Sequence, residues 1–335
     1  PSIIKLSTIM AWPSPTKQGT GAAHGAALGA DEVAGLKKIL GLDPEKSFDV
    51  ADDVIAHTRK QAADNAAAAR GEWDKQIAAW REANPERSAL LNRLVAKELP
   101  EGWDDVLPTF EVGKSIATRA ASGEVLSALA PVLPELWGGS ADLAGSNNTT
   151  MKGEPSFLPA DRVSEDWSGH EYGRTLHFGI REHGMGAIVN GIVLHGLTRA
   201  YGGTFFVFAD YMRGAVRLSA VMNIPSIFVW THDSIGVGED GPTHQPIEHL
   251  WAYRAIPGLD IVRPADANET SAAWKGILER RDGGPAGIIL SRQNLPVLEG
   301  TSAEGVDKGG YVLSDSPTGT VDVQLLASGS EVSLA

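Results

Sequence analysis

From about residue 108 onward, short apolar runs alternate with longer stretches of helical period. LWGG (136–139), RTLHFG (174–179), TFFVFA (204–209), SIFVWT (226–231), DIVR (260–263) and AGIIL (286–290) predict strands. Between most of them the spacing predicts helices over 113–130, 182–196, 210–222, 244–255 and 266–281. Such alternation implies an α/β fold, a mostly parallel sheet with helices on both faces. Ligands of these sheets sit beyond the carboxyl ends of the strands. That rule singles out SADLAGSNN, GIREHG, ADYM, THDSIGVGEDGPTH, RPAD and SRQN, where the unusual polar residues are concentrated.

The first hundred residues have another texture. SIIKLSTIM is apolar, WPSPTKQGTGAAHG is a Pro/Gly-rich loop, and DEVAGLKKIL reads as a helix stopped by Gly41. Residues 50–99, charged and Ala-rich, predict two long helices, with Trp73, Ile77 and Trp80 on one face as packing residues of a linker. At the far end, VQLLASGSEVSLA reads as a strand turning into a new helix, and both termini read as cut rather than finished.

Composition narrows the function classes. The 335 residues suffice for roughly two domains. A net charge of -13 argues against nucleic acid or an acidic membrane surface as partner, because phosphate attraction needs a positive excess. The absence of cysteine excludes disulfides, thiolate metal sites and a Cys nucleophile, and fits a cytoplasmic setting. No apolar run approaches the ~20 residues of a membrane span, and no signal peptide is visible.

The densest chemistry lies in HDSIGVGEDGPTHQP (232–246). Its GVGEDG satisfies G-x-G-x-x-G, yet Glu239 and Asp240 would repel a pyrophosphate there and Pro242 removes a backbone donor. The dinucleotide reading is therefore rejected. His232, Asp233, Asp240 and His244 are capable metal ligands, but glycines and prolines interrupt any i, i+4 relation, so a metal site is the weaker reading. Asp/Gly/Pro loops are often plain turns. So many titratable groups after a buried strand exceed what a turn needs, and a functional loop is favoured.

This loop resembles the signature of the transketolases, thiamine-diphosphate enzymes that move two-carbon ketol units between sugar phosphates. The resemblance extends, in the family's order, through GGSADLAGSNN, HFGIREHGMGAIVNGI, GGTFFVFADYMR, RPADANE and LSRQNLP, and is weakest over 60–105. It implies four parts. Residues 1–40 would be the end of the diphosphate-binding domain and 41–107 a helical linker. Residues 108–300 would be the pyrimidine-binding domain of the thiamine-diphosphate fold, and 301–335 the start of the C-terminal domain.

The resemblance also implies site residues. Glu182 matches the acid that activates the cofactor: a carboxyl bonded to the aminopyrimidine favours the imino tautomer, an internal base for the thiazolium carbon. Without the resemblance, Glu182 reads as a first-turn acid stabilising a helix. Phe205, Phe208 and Tyr211 match the aromatic wall of the pyrimidine pocket, where flat rings stack; Phe206 reads as core. Asp142 matches an acid near the thiazolium part, with helix capping as its alternative. Arg119, Ser146, His244 and Arg292 match groups on the sugar's phosphate or neighbouring hydroxyls, for which an arginine fork is suited. His232 and Asp240 match contacts to hydroxyls near the reacting carbon. His24, in GAAHG, matches a substrate-side histidine able to shuttle protons.

In the family, a Gly-Asp-Gly motif followed by Asn binds the diphosphate and its magnesium or other divalent cation. That motif is absent from these residues, so the metal is expected to be held by an N-terminal part outside them, and this polypeptide alone is expected to lack ketol transfer. Gly184 stands where relatives often carry Ala. A homodimer with its active site at the subunit interface is implied. Three other readings compete: a deoxyxylulose-phosphate synthase, which lacks the HDSIG lead-in and the LSRQNLP clamp; a hydrolase with a metal on His232, Asp240 and His244; and a non-catalytic dimerisation fragment.

Overall fold

The computed structural model describes residues 2–165, 167–280 and 283–335. They form two units, 1–85 and 86–335. In the first unit, helix α1 is Ala30–Ile39 and α2 is Asp52–Ala83. SIIKLSTIM takes no regular structure. Glu32, on α1, gathers the Ser14 and Thr16 hydroxyls and the Thr16 and Lys17 amides, which tie the Pro-rich loop down. Those bonds, the Ser14 hydroxyl first and the Thr16 amide next, hold its carboxyl at about 2.

The long helix α2 buries none of its residues. Helix-forming alanines and i, i+4 pairs support it instead, Lys60–Asp64 at 2.5 Å and Arg70–Asp74 at 2.7 Å, with the Arg70 guanidinium 5.0 Å over Trp73. Of the expected aromatic face, Ile77 and Trp80 are half-buried and Trp73 is exposed. The second linker helix, α3, is Pro85–Val95; its proline occupies the helical start, where a missing N–H is harmless.

The second unit holds an eight-stranded, all-parallel sheet. Its members are β2 (Leu136–Ser140), β3 (Ser156–Phe157), β4 (Gly169–His170), β5 (Thr175–His177), β6 (Arg199–Phe205), β7 (Ile227–Thr231), β8 (Asp260–Val262) and β9 (Ala286–Leu290). They lie in the order β4-β3-β5-β2-β6-β7-β9-β8. The short strand β1 (Ser115–Ile116) pairs antiparallel with β10 (Leu295–Pro296) in a separate ribbon. From β2 the chain runs out to β3 and β4, returns through β5 and crosses to β6 on the other side, so the strand order reverses at β2 and the crevice rule places a ligand beyond it.

Helices α4 (Thr118–Leu129) and α9 (Ala267–Glu279) share one core with Tyr201, Val229, Ile288 and Leu290. On the other face, α6 (Glu182–His195) and α7 (Ala209–Met222) pack with Phe228, Trp230 and Ile289. Successive strand residues point to opposite faces, which is why IFVWT and AGIIL are apolar throughout rather than alternating. The remaining helices are short: α5 (Ala144–Asn147), α8 (His249–Arg254) and α10 (Ala303–Asp307). No helix among the described residues is long and apolar enough to cross a membrane.

Several boundaries differ from the pattern-based expectation. The strand expected at 204–209 is instead Arg199–Phe205, running on into a 3₁₀ turn, Phe206–Phe208. Gly202 and Gly203 hide it. A Cβ at Gly202 would lie 2.9 Å from Met185 Cγ, and one at Gly203 2.7 Å from Thr149 Cγ2, so close packing of α6 and the 149 segment demands residues that score poorly as strand. The expected 113–130 helix begins only at Thr118, because 115–116 join the ribbon. The 244–255 helix shortens to α8, its first turns being loop. That over 266–281 is α9, capped by the Asp266 carboxylate on the Glu269 amide at 2.9 Å; its expected last residue, 281, lies outside the described residues. Among the described residues of the final segment, only a 3₁₀ turn, Gly329–Glu331, forms, in place of a strand and helix.

Gly139 is the tightest point of the sheet, since a Cβ there would overlap the Leu176 carbonyl of β5. Gly139→Ala is expected to cost about 3 kcal/mol or more, as overpacking against backbone allows no rotamer escape. Urea unfolding followed by far-UV circular dichroism measures this, and an unchanged midpoint would remove Gly139 from that role.

Candidate active site

The polar residues that the strands cannot bury collect at the carboxyl ends of β2, β5, β6, β7 and β9. His232 directly follows β7, turned back by a left-handed φ of 63°. It is 2% exposed. Its Nδ1 lies 2.8 Å from the Thr231 hydroxyl, which donates to Asn147 Oδ1 at 2.6 Å. Asn147 Nδ2 donates to the Ser140 hydroxyl at 2.9 Å, and that hydroxyl donates to the Gly203 carbonyl at 3.0 Å.

The direction of this chain follows from its parts. Thr231 has one hydroxyl proton, and it goes to Asn147, so the hydroxyl oxygen accepts from His232 Nδ1–H. The imidazole is thereby fixed as the Nδ1–H tautomer, with the Nε2 lone pair left open. Burial first, then the nearby charges of Arg119, Arg292 and His244, push its pKa down to about 3. His232 is thus a neutral ring with a free acceptor.

An aromatic stack covers it. Phe205 lies parallel to the His232 ring at 3.6 Å between centroids, and Phe208 parallel to Phe205 at 5.7 Å. His244 meets both edge-on, at 6.2 Å from Phe205 and 5.3 Å from Phe208. Tyr211, on the first turn of α7, is 6.2 Å from Phe208 and mostly exposed. His244 Nδ1 contacts the Thr243 hydroxyl at 2.9 Å.

Two arginines meet here because their neighbours are clamped. The Ser291 amide donates to the Thr118 hydroxyl at 2.7 Å, and the Thr118 amide to the Ser291 hydroxyl at 3.1 Å. This buried exchange joins the start of α4 to the end of β9, so Arg119 and Arg292 become neighbours. Arg119 donates to the Ser146 carbonyl at 2.6 Å, and its pKa is lowered by burial and by the like charge of Arg292. Arg292 in turn donates to Glu239 at 2.8 Å. Two neighbouring guanidiniums beside a neutral imidazole, one of them held by the exposed Glu239, form a place suited to an anion.

Beyond β2 and β5 opens a cavity of about 260 Å³ lined by Asp142, Ser146, Trp167 and His177 among others. Asp142 takes a left-handed φ of 62°. Glu182, first residue of α6, is 8% exposed, and neither carboxylate oxygen has a hydrogen-bond or ion-pair partner among the described residues. The residue is buried, yet its carboxylate oxygens keep solvent access and are free to take a donor. Asp240 is exposed and makes no hydrogen bond or ion pair with the cluster, while His24 sits exposed after the 3₁₀ turn Gly21–Ala23 of the first unit.

The metal reading of the loop finds no support. Among the described residues, no three of His232, Asp233, Asp240 and His244 converge at ligand distance. Asp233 is committed elsewhere: its carboxylate takes Arg263 Nη2 at 2.6 Å and the Ser330 hydroxyl at 2.8 Å, and Arg263 also binds Glu331. Pattern reading missed this network and the Thr231–Asn147–Ser140 chain. The signal available was a polar residue at the end of each apolar run, Ser140 after LWGG and Thr231 closing SIFVWT.

Comparison with known proteins adds two family models, the transketolase pyrimidine binding domain over residues 114–297 and the transketolase thiamine diphosphate binding domain over 1–100. The transketolase of Mycobacterium tuberculosis is 63% identical over 341 residues, covering 100% of this chain and 49% of that protein. That of Geobacillus stearothermophilus is 48% identical, covering 100% and 49%. A crystal structure of Pichia stipitis transketolase in complex with sedoheptulose 7-phosphate matches with a TM-score of 0.88 at 46% identity, over 98% of this chain and 48% of that one. The Leishmania mexicana transketolase matches at 0.85 and 44%, over 98% and 47%. The chain thus spans about half the length of the relatives it matches. With the transketolase pyrimidine-binding model matching more than half of its residues, the chain belongs to the transketolase family.

Proposed function

We propose that the protein carrying these residues is a thiamine-diphosphate-dependent transketolase. It would reversibly move a two-carbon ketol unit from a ketose phosphate such as xylulose 5-phosphate to an aldose phosphate such as ribose 5-phosphate, in the pentose phosphate pathway. The observation that carries this reading is one cluster, with the neutral His232 stacked on Phe205 and ringed by His244, Arg119 and Arg292. Such a site offers an aromatic face to a flat heterocycle and a cationic rim to a phosphate. The Pichia stipitis structures with sedoheptulose 7-phosphate and with xylulose 5-phosphate concern that protein, and support sugar phosphates as the substrate class here.

The bound cofactor supplies a carbon nucleophile. Glu182 fits it as an enclosed residue whose carboxylate is open to a donor, and its role is to hold the aminopyrimidine through a hydrogen bond. Phe205, Phe208 and Tyr211 wall the ring and keep water from it. Asp142 lies at the thiazolium end. Arg119, Ser146, His244 and Arg292 hold the sugar phosphate, for which Arg292 exchanges Glu239. His232 accepts or returns a proton at Nε2, the one ring atom left open, while Asp240 and His24 serve substrate hydroxyls. None of these residues is assigned to the divalent cation.

The division into 1–40, 41–107, 108–300 and 301–335, a homodimer sharing its sites, and a cytoplasmic location belong to the same proposal. The hydrolase reading loses its ligand set, since among the described residues His232, Asp240 and His244 do not converge at ligand distance.

Two outcomes test this reading. In the complete polypeptide, Glu182→Ala is expected to lower ketol transfer about 10²–10⁴-fold while thiamine diphosphate still binds by calorimetry. Near-normal turnover would remove Glu182 from its role. His232 is expected to stay neutral, its Cε1–H NMR shift unmoved from pH 8 down to about 4. Unfolded histidine takes up a proton near pH 6.5, so the unfolded chain binds more protons between there and about 3, and this residue's contribution to stability falls as pH falls. A titration midpoint near 6.5 in the folded protein would overturn it.

A further inference from the structure

A second constellation of ligand-bearing side chains lies outside the loop, where α7 and α8 begin. His249, first residue of α8, is 4% exposed and packs against Phe206 at 5.7 Å between ring centroids. Both of its ring nitrogens are buried and lack a hydrogen-bond partner. Nε2 nevertheless lies 3.1 Å from Asp210 Oδ2, and Nδ1 3.8 Å from Glu248 Oε2. Asp210, Glu248 and His249 each offer one ligand atom, and these lie within 4.8 Å of one another.

The Nε2–Asp210 contact is close enough for a hydrogen bond but lacks its alignment, so a proton along that line is not what the geometry serves. Two donor atoms each about 2.0–2.1 Å from one ion, at roughly tetrahedral or square angles, stand about 3.0–3.4 Å apart. The observed separation falls in that window. The chemistry agrees. An imidazole nitrogen that carries no proton is an acceptor, and the carboxylate oxygens facing it can only accept as well. A divalent cation converts all three acceptors into partners, and two carboxylates balance its charge.

We propose that Asp210, Glu248 and His249 bind a divalent first-row transition ion of the Zn²⁺ type, with water completing the coordination. One imidazole and two carboxylates favour such an ion over Mg²⁺, which prefers an octahedron of oxygens. The ion would be structural. Asp210 lies between Phe208 and Tyr211, and α8 follows directly on the loop carrying Asp240 and His244. Coordination would therefore staple the aromatic wall to the loop opposite it. This site is separate from the cofactor's own cation and does not depend on the proposed activity.

The test is Co²⁺ titration of the complete, chelator-treated polypeptide in the absence of thiamine diphosphate. Expected is one Co²⁺ per chain with visible absorption bands, displaced by stoichiometric Zn²⁺ and not by equal Mg²⁺. His249→Gln, and separately Glu248→Gln, should weaken the affinity at least tenfold. Because Glu248 is exposed, its variant should keep the fold, and unchanged far-UV dichroism checks that. Zn²⁺ should raise the melting temperature of the unsubstituted protein and leave that of Glu248→Gln unmoved. Absent binding, displacement by equal Mg²⁺, or an isotherm for Glu248→Gln that superimposes on the parent's would each overturn the proposal.

Discussion

A parallel sheet covered on both faces leaves its polar side chains one place to go, the line of strand ends, and this constraint organises the second unit. Within the layers, hydrogen bonding is spent on the ladder, and alternate residues serve two separate cores. At the carboxyl ends the backbone must turn, and the residues there face a crevice. Ser140, Thr231 and Ser291 occupy these ends, and each hydroxyl ties its own strand to a neighbouring element. The chain from His232 to Gly203 runs from β7 through α5 and β2 to β6, so the imidazole's orientation is set by the sheet's own register rather than by a local turn.

The same geometry settles the electrostatics. Without the Thr118–Ser291 exchange, Arg119 and Arg292 would be two solvated charges on different elements; with it, they share a site and repel. Burial, with the positive charges of both arginines, keeps His232 uncharged, and the neutral ring then stacks on Phe205. A neutral base, an aromatic plane and a pair of cations thus stabilise one another's states. Glu182 lies outside this mutual arrangement, buried and without a partner among the described residues.

The strands apolar on both faces were legible in the sequence, as were the helices between them, because burial on both sides writes itself as an uninterrupted run. Strand β6 was not, since its two glycines are there for what packs on them, a requirement that no local pattern carries. The position of most candidate residues at strand ends followed from the crevice rule. What brings Arg119 to Arg292 is a pairing across 173 positions, which only the fold supplies. Asp233 counts among the capable ligands of the loop's weaker metal reading, yet it is the buried partner of Arg263. Its neighbour His232 instead bonds to Thr231 and stacks on Phe205.

The turn at His232 has one further implication. His232 and Asp142 both hold a backbone conformation that side chains with a Cβ rarely adopt, just past the carboxyl ends of β7 and β2. Such strain costs on the order of 1 kcal/mol per residue and persists only where surrounding bonds over-determine it. Glycine would relieve it at either position. Selection for robustness and selection for chemistry therefore pull in opposite directions at these two residues. A library screened only for heat resistance would drift toward sequences that keep the sheet and lose the imidazole.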